Sequence, residues 1–323
     1  MSSPARAPAR ARSRILLAAL ATLLALAAAE ALVRAAGLGP MFGQLIAVRE
    51  VPTRTVRGVA LWDGKYRRYE AADVIRFAAA GEAFKIVGLG DSIMYGVWLP
   101  AAETYLEQAR QMLAGRSARP VEVLNLAVPG YNTLQEEVTF AELGERLRPD
   151  LVLVHYWVDD VHQYRVVGGY VVDFGDISED GHLVARTLPL PARLNDFLLV
   201  HPRLYALATQ AAVAAGRGRR SSDWTRVAQP LAAIRQRALQ SGARVVVLAS
   251  AELDGDTPAP IADLARLREL GASLGVEVVD LAEWLRGTES ARIRIDGWHL
   301  NAAGHRLIAE RLVDYLLRHD LRT

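Results

Sequence analysis

The chain has 323 residues with 38 Lys and Arg against 36 Asp and Glu, a size that allows one large domain or two ordinary ones. Charged residues are 23% of the total and no low-complexity tract dominates, which excludes a disordered or fibrous protein. There is no cysteine, and this removes a disulfide scaffold, a thiolate zinc site, an iron–sulfur cluster and a cysteine nucleophile together. The positive balance is local. Residues 1–34 carry five arginines and one acid, a net of +4, which leaves 33 basic against 35 acidic residues in the body. The body therefore gives no electrostatic case for a nucleic-acid partner.

Residues 1–34 form a separate segment. Arg6, Arg10, Arg12 and Arg14 precede an apolar run over 15–29 (ILLAALATLLALAAA), and Glu30 and Arg34 close it. As a secretory signal, the run has a basic leader and small residues, Ala27 and Ala29, at a possible cleavage point. As an uncleaved anchor it extends over 15–33, close to the roughly 20 residues a bilayer requires. A buried core helix is the third reading, and the flanking arginines argue against it. Under either membrane reading, the positive-inside rule directs the body out of the cytoplasm. No later stretch is long and apolar enough to span again.

Residues 35–80 are a lead-in with Gly, Pro, Trp62, Tyr66 and Tyr69 and no clear periodicity. From there the pattern sharpens into a body over 81–323. Apolar runs predict strands over 84–89, 121–126, 151–157, 244–248 and 276–279. Helical spacing predicts helices over 104–114, 134–147, 231–239, 261–274 and 302–317. The alternation breaks over about 161–229, a cap-like insertion with Gly168, Gly169, Pro189, Pro191 and a basic loop carrying Arg217, Arg219 and Arg220. Five short strands alternating with amphipathic helices predict an α/β fold, a parallel sheet covered on both faces. In such a sheet, ligands collect at the carboxyl ends of the strands. Gly90-Asp91-Ser92, Pro129-Gly130 and Asp159-Asp160 each follow a strand and meet at that rim.

A serine at the start of a helical turn can present its hydroxyl outward, beside backbone N–H groups free to receive an oxyanion. Alone, Ser92 reads more readily as a helix cap. Gly88-x-Gly90 has Ile93 where a dinucleotide fingerprint needs glycine. Met94 excludes the Gly-x-Ser-x-Gly elbow. A serine nucleophile needs a base, and the base needs a carboxylate to fix its tautomer. Asp296-Gly297-Trp298-His299 offers both within one loop. Of the other histidines, His155 falls in a strand and reads as core. His305 and His319 lie on the last helix and read as exposed or half-buried, and His182 and His201 lie in the irregular middle. His162, behind Asp159-Asp160, is the one rival base. Trp157 and Trp224 read as core or rim packing. No metal-ligand spacing is present, so no cofactor is expected.

These blocks, with Asn125-Leu126-Ala127-Val128-Pro129-Gly130 after the second strand, resemble the SGNH (GDSL-type) hydrolase superfamily over residues 84–316. The resemblance implies a three-layer α/β/α flavodoxin-like fold with a five-stranded parallel sheet, and ester hydrolysis through an acyl-enzyme. It implies Ser92 as nucleophile, His299 as general base, Asp296 as its orienting partner, and the N–H groups of Ser92 and Gly130 as oxyanion donors. A membrane segment ending in Glu-x-x-x-Arg, here Glu30 to Arg34, is also similar to a subset of bacterial members. One position departs. The third block normally supplies an asparagine whose side-chain N–H₂ donates to the oxyanion, and here it is Asp159. An ionised carboxylate only accepts hydrogen bonds.

The expected function is thus a membrane-tethered extracytoplasmic serine esterase acting on a small-molecule or glycan-linked ester. The alternatives are transfer or removal of an acyl group on an envelope glycan, with residues 161–229 shaping the site, and a binding protein weakened at Asp159.

Overall fold

The structure is a computed structural model that describes residues 7–37, 54–161 (62 and 65 excepted), 224–321 and short stretches between 165 and 208. The chain divides into two compact units. The larger comprises residues 50–162 and 222–323 and carries the sheet.

Its five strands are β1 (Phe84–Leu89), β2 (Val121–Asn125), β3 (Leu151–Tyr156), β4 (Arg244–Ala249) and β5 (Glu277–Asp280). They lie in the order β5-β4-β3-β1-β2, every pair parallel. Register is set by pairs such as Gly88 with Asn125 and Ile86 with Leu151. Successive side chains of a strand point to opposite faces, and in this sheet both faces are covered, so the strands read as continuous apolar runs. Phe84, Ile86, Leu151, Leu153, Val246 and Leu248 join one core. Val87, Leu89, Val152, Val154, Val245 and Val247 join the other. The three layers follow from that alternation.

The first core is closed by α4 (Tyr105–Leu113) and α10 (Ala302–His319). The second is closed by α2 (Ala71–Ala79), by Phe140 just after α5 (Thr133–Thr139), and by α6 (Thr225–Gln240) and α7 (Leu264–Leu274). Three short helices lie between these elements, α3 (Ser92–Tyr95), α8 (Leu281–Trp284) and α9 (Ser290–Ile293).

Two helices depart from their sequence patterns. The helix predicted over 231–239 begins six residues earlier and runs through Pro230. An interior proline costs about 3 kcal/mol of helix propensity, and burial of Val227, Pro230, Leu231 and Ile234 in the second core opposes that cost. The stretch predicted over 134–147 is α-helical only to Thr139. It then widens into a π turn, Phe140–Gly144, and tightens into a 3₁₀ turn, Glu145–Leu147. Within the lead-in, Arg54–Val56 and Val59–Leu61 pair as an antiparallel hairpin. Leu61 packs there with Val128, Tyr131 and Val138.

The smaller unit comprises residues 1–49 and 163–221. It holds α1 (Ala7–Ala35) and two short antiparallel ladders, Arg165–Val167 with Tyr170–Val172 and Asp176–Ile177 with Leu183–Val184. Arg217, Arg219 and Arg220 lie outside the described residues.

Candidate active site

The turn after β1 is shaped by packing. A Cβ on Gly88 would fall 2.4 Å from Leu106 Cδ1, and one on Gly90 would fall 2.9 Å from the Cβ atoms of His155 and Met94. At Gly90 those neighbours are Cβ atoms, fixed to the backbone of β3 and α3, and only glycine fits between them. Asp91 then caps α3, its Oδ1 accepting the Ile93 N–H at 2.8 Å, and Ser92 is the first residue of that helix. Gly96, at φ 71°, takes the left-handed conformation that ends the turn.

Two remote side chains pin this turn, and a third pins the start of α4. Arg68, from the lead-in, donates to the carbonyls of Tyr95, Gly96 and Leu99 at 2.8, 2.5 and 2.8 Å. Asn125 Nδ2 donates to Met94 O at 3.0 Å, and its Oδ1 accepts Ala127 N–H at 3.0 Å. The buried His305 accepts the Tyr105 N–H at Nδ1, at 3.1 Å, and stacks on the Tyr105 ring. The turn is thereby held from the lead-in and from β2, and the helix that follows it from α10.

The second loop lies between α9 and α10. Arg294 pairs with Leu300 across it, and Ile295 N–H donates to His299 O at 2.8 Å. Asp296 Oδ1 accepts the N–H groups of Trp298 and His299, at 3.1 and 2.8 Å. Its Oδ2 lies 2.7 Å from His299 Nδ1. On the far side of the ring, His299 Nε2 lies 2.9 Å from Ser92 Oγ. Residues 207 positions apart therefore form one hydrogen-bonded chain from hydroxyl to imidazole to carboxylate. Burial raises the Asp296 carboxyl, but the hydrogen bonds from His299 and Trp298 outweigh it and hold the group below the ordinary carboxylate range.

This is the arrangement that turns a serine into a nucleophile. Residues 89–307 match the GDSL-like lipase/acylhydrolase family. The chain belongs to that family. It is an ester-hydrolysing enzyme. No curated protein matches the chain in sequence. Among solved structures, 59 chains match. An acetyl xylan esterase, AlAXEase, aligns over 72% of this chain and 99% of its own at 14% identity, with a TM-score of 0.46. The psychrotrophic esterase EstA from Pseudoalteromonas sp. aligns over 73% and 97% at 11% identity, with a TM-score of 0.45. A lipase/acylhydrolase from Enterococcus faecalis aligns over 72% and 94% at 16% identity, with a TM-score of 0.42.

In this GDSL-family site the remaining sequence-picked residues take distinct places. Gly130 lies at φ 78° in the loop after β2, where Val128 N–H donates to Gly90 O at 3.0 Å. Among the described residues, the N–H groups of Ser92 and Gly130 have no acceptor. Asp159 belongs to the 3₁₀ turn Val158–Val161 after β3, and its side chain lies outside the described part. Asp160 is buried and accepts the Thr133 hydroxyl at 2.7 Å. His162 and His182 lie outside the described residues. Trp157 and Trp224 are buried, tilted against Trp298 and stacked on Tyr156 respectively.

His155 is fully buried in β3, as its strand position predicts, between Tyr105 Oη at 2.9 Å and Ser250 Oγ at 2.6 Å. His305 corrects an expectation. Its place on the last helix reads as exposed or half-buried, yet it is buried, because α10 presents it on the stripe that also carries Ile308, Ala309 and Leu312. Burial lowers both His155 and His305 to about 3, so each stays uncharged within the core.

Two contributors were missed by the sequence reading. Arg68 gave no signal, because an arginine in an irregular lead-in resembles any surface arginine. Trp98 has a backbone φ of 64°, uncommon for a bulky residue. Its indole is half exposed and meets the His299 ring edge-on, with centroids 5.2 Å apart. Strain of this kind persists only where surrounding structure imposes it, and it concentrates at functional sites. Among the described residues, no group of three or more His, Asp or Glu is arranged to hold a metal ion.

Proposed function

We propose that Ser92, His299 and Asp296 are the catalytic triad of a serine esterase that works through an acyl-enzyme. The supporting observation is the unbroken chain Ser92 Oγ, His299 Nε2, His299 Nδ1, Asp296 Oδ2 at 2.9 and 2.7 Å. His299 Nε2 takes the Ser92 proton as Oγ attacks the ester carbonyl carbon. The carbonyl oxygen becomes an oxyanion, which accepts hydrogen bonds from the N–H groups of Ser92 and Gly130. The protonated imidazole, held by Asp296, then gives its proton to the departing alcohol. Water adds to the acyl-enzyme with His299 again as base, and the carboxylic acid leaves with Ser92 restored.

The test is Ser92→Ala. Loss of a triad nucleophile costs about 10⁶ in turnover. A fluorophosphonate probe should label the wild-type chain at Ser92 and leave the variant unlabelled. Ester hydrolysis by Ser92→Ala at the wild-type rate would remove the assignment.

We further propose that α1 tethers this enzyme to a membrane, with the body outside the cytoplasm. Residues 13–35 are long and apolar enough to span. Leu16, Leu17, Leu20, Leu23, Leu24 and Leu26 are exposed around the whole helix, so no single face can serve a protein core. Retention of the intact N-terminus in the membrane fraction after alkaline washing is the expected result.

A further inference from the structure

Glu30 and Arg34 end the apolar helix with a set of bonds that a simple anchor does not need. Glu30 Oε1 accepts Arg34 Nε–H at 2.6 Å and the backbone N–H of Arg203 at 3.0 Å. Its Oε2 accepts the N–H of Leu204 at 2.8 Å. Arg34 Nη2 donates to the carbonyl of His201 at 2.7 Å. Residues 167 positions apart are thus clamped together inside the smaller unit. A carboxylate near the end of a membrane span is costly unless paired, and here every one of its bonds is to Arg34 or to residues 203–204.

The clamped segment carries apolar side chains that its own unit leaves uncovered. Leu194 and Phe197 are 46% and 55% exposed, beside the exposed Arg193. Phe197 is one helical turn from the clamp, since its carbonyl accepts the His201 N–H at 3.0 Å and its ring packs on the His201 ring.

We propose that Leu194 and Phe197 form an interfacial foot, seated in the headgroup layer of the same bilayer that α1 spans. The proposal rests on the anchor reading of α1. The occupant is a lipid surface because of the continuity: the clamp sits where the apolar run ends, and Phe197 and Leu194 lie four and seven residues before its His201. Exposed aromatic and aliphatic residues flanked by arginines have the chemistry of an interfacial segment, and Arg193 and Arg34 suit anionic headgroups. Glu30 and Arg34 are positioning residues. They act by fixing the foot at the exit of the span.

The native chain contains no cysteine, so one environment-sensitive fluorophore can be placed at Leu194→Cys in the full-length protein. The probe system is vesicles of phosphatidylcholine with one quarter phosphatidylglycerol, containing lipids brominated at a shallow acyl position. The expected result is blue-shifted emission, at least a twofold loss of intensity from brominated lipid, and protection from iodide. Adding Glu30→Ala and Arg34→Ala should return the dye to iodide-accessible, unquenched emission. That variant should stay in the membrane after alkaline washing and hydrolyse ester at the unmodified rate. A dye as open to iodide as it is in water, on a chain that resists alkaline washing, overturns the foot and leaves the anchor standing. Unchanged quenching in the double variant overturns the clamp. Extraction of the wild-type chain by alkaline washing refutes the anchor itself and the foot with it.

Discussion

Replacing Asp296 by asparagine isolates the electronic role of the carboxylate from its structural one. Oδ1 accepts two backbone N–H groups, those of Trp298 and His299, while Oδ2 faces only His299 Nδ1. The asparagine oxygen must take the Oδ1 place, because the reverse orientation sets an N–H₂ group against two backbone donors, at about 1–3 kcal/mol for each amide left without an acceptor. The N–H₂ then faces Nδ1 and forces that nitrogen to accept. Nε2 consequently carries the proton and donates to Ser92 Oγ, which it can no longer deprotonate. Holding a triad imidazole in the wrong tautomer costs about 10⁴ in turnover, or about 5.5 kcal/mol of barrier at about 1.36 kcal/mol per factor of ten. The measurement is kcat/KM on a short-chain aryl ester, with thermal melting in parallel. The melting temperature should hold, since both backbone bonds survive. An Asp296→Asn enzyme within tenfold of wild type would refute the tautomer argument and the role given to Asp296.

Two further outcomes follow from the same geometry. Trp98→Ala removes an edge-on contact to His299 worth about 1 kcal/mol, and kcat/KM should fall about fivefold with little change in melting temperature, because half of the indole is already in solvent. Burial pushes Asp91 up to about 6 from an ordinary 3.8, so the stability that its proton contributes is present below pH 4 and is lost as pH rises through 6. Asp91→Asn should remove that slope, so that the variant gains on the order of 3 kcal/mol relative to wild type between pH 4 and pH 7 in denaturant titrations; parallel curves would show that Asp91 carries no such proton.

The strands were legible because a doubly covered parallel sheet leaves each one as an unbroken apolar run, and β1 and β3 begin and end within a residue of their patterns. The helix through Pro230 was legible only from the proline onward, since local propensity stops there and tertiary packing does not. The hairpin of Arg54–Val56 and Val59–Leu61 has three residues per strand, too few for alternation to show. Ser92, Asp296 and His299 stood out as reactive types in turns that the topology carries to one rim, although no local pattern encodes the 2.9 Å between serine and imidazole. His305 could have been read from its helix, three and four residues before Ile308 and Ala309 on one stripe. Trp98 could not, because its backbone conformation is imposed by its surroundings and leaves no mark in sequence.

The proposed oxyanion site raises a question of charge. Ser92 and Gly130 offer two N–H groups without acceptors among the described residues, while Asp159, on the turn after β3, stands where the resemblance calls for asparagine. The neighbourhood is already acidic. Asp91, Glu136 and Asp160 are buried, and burial, with the charges of Asp160 and Asp91, drives Glu136 well above the ordinary carboxylate range, so that it stays neutral. A further carboxylate facing a growing negative charge opposes the reaction, whereas an amide of the same shape supports it. Asp159→Asn should therefore accelerate turnover, by up to about 10² if it restores one oxyanion donor, with KM nearly unchanged because the bond forms only in the transition state. A rate equal to wild type would mean that residue 159 does not face the oxyanion. A slower enzyme would mean that the carboxylate serves as an acceptor, and that two backbone donors suffice for this site.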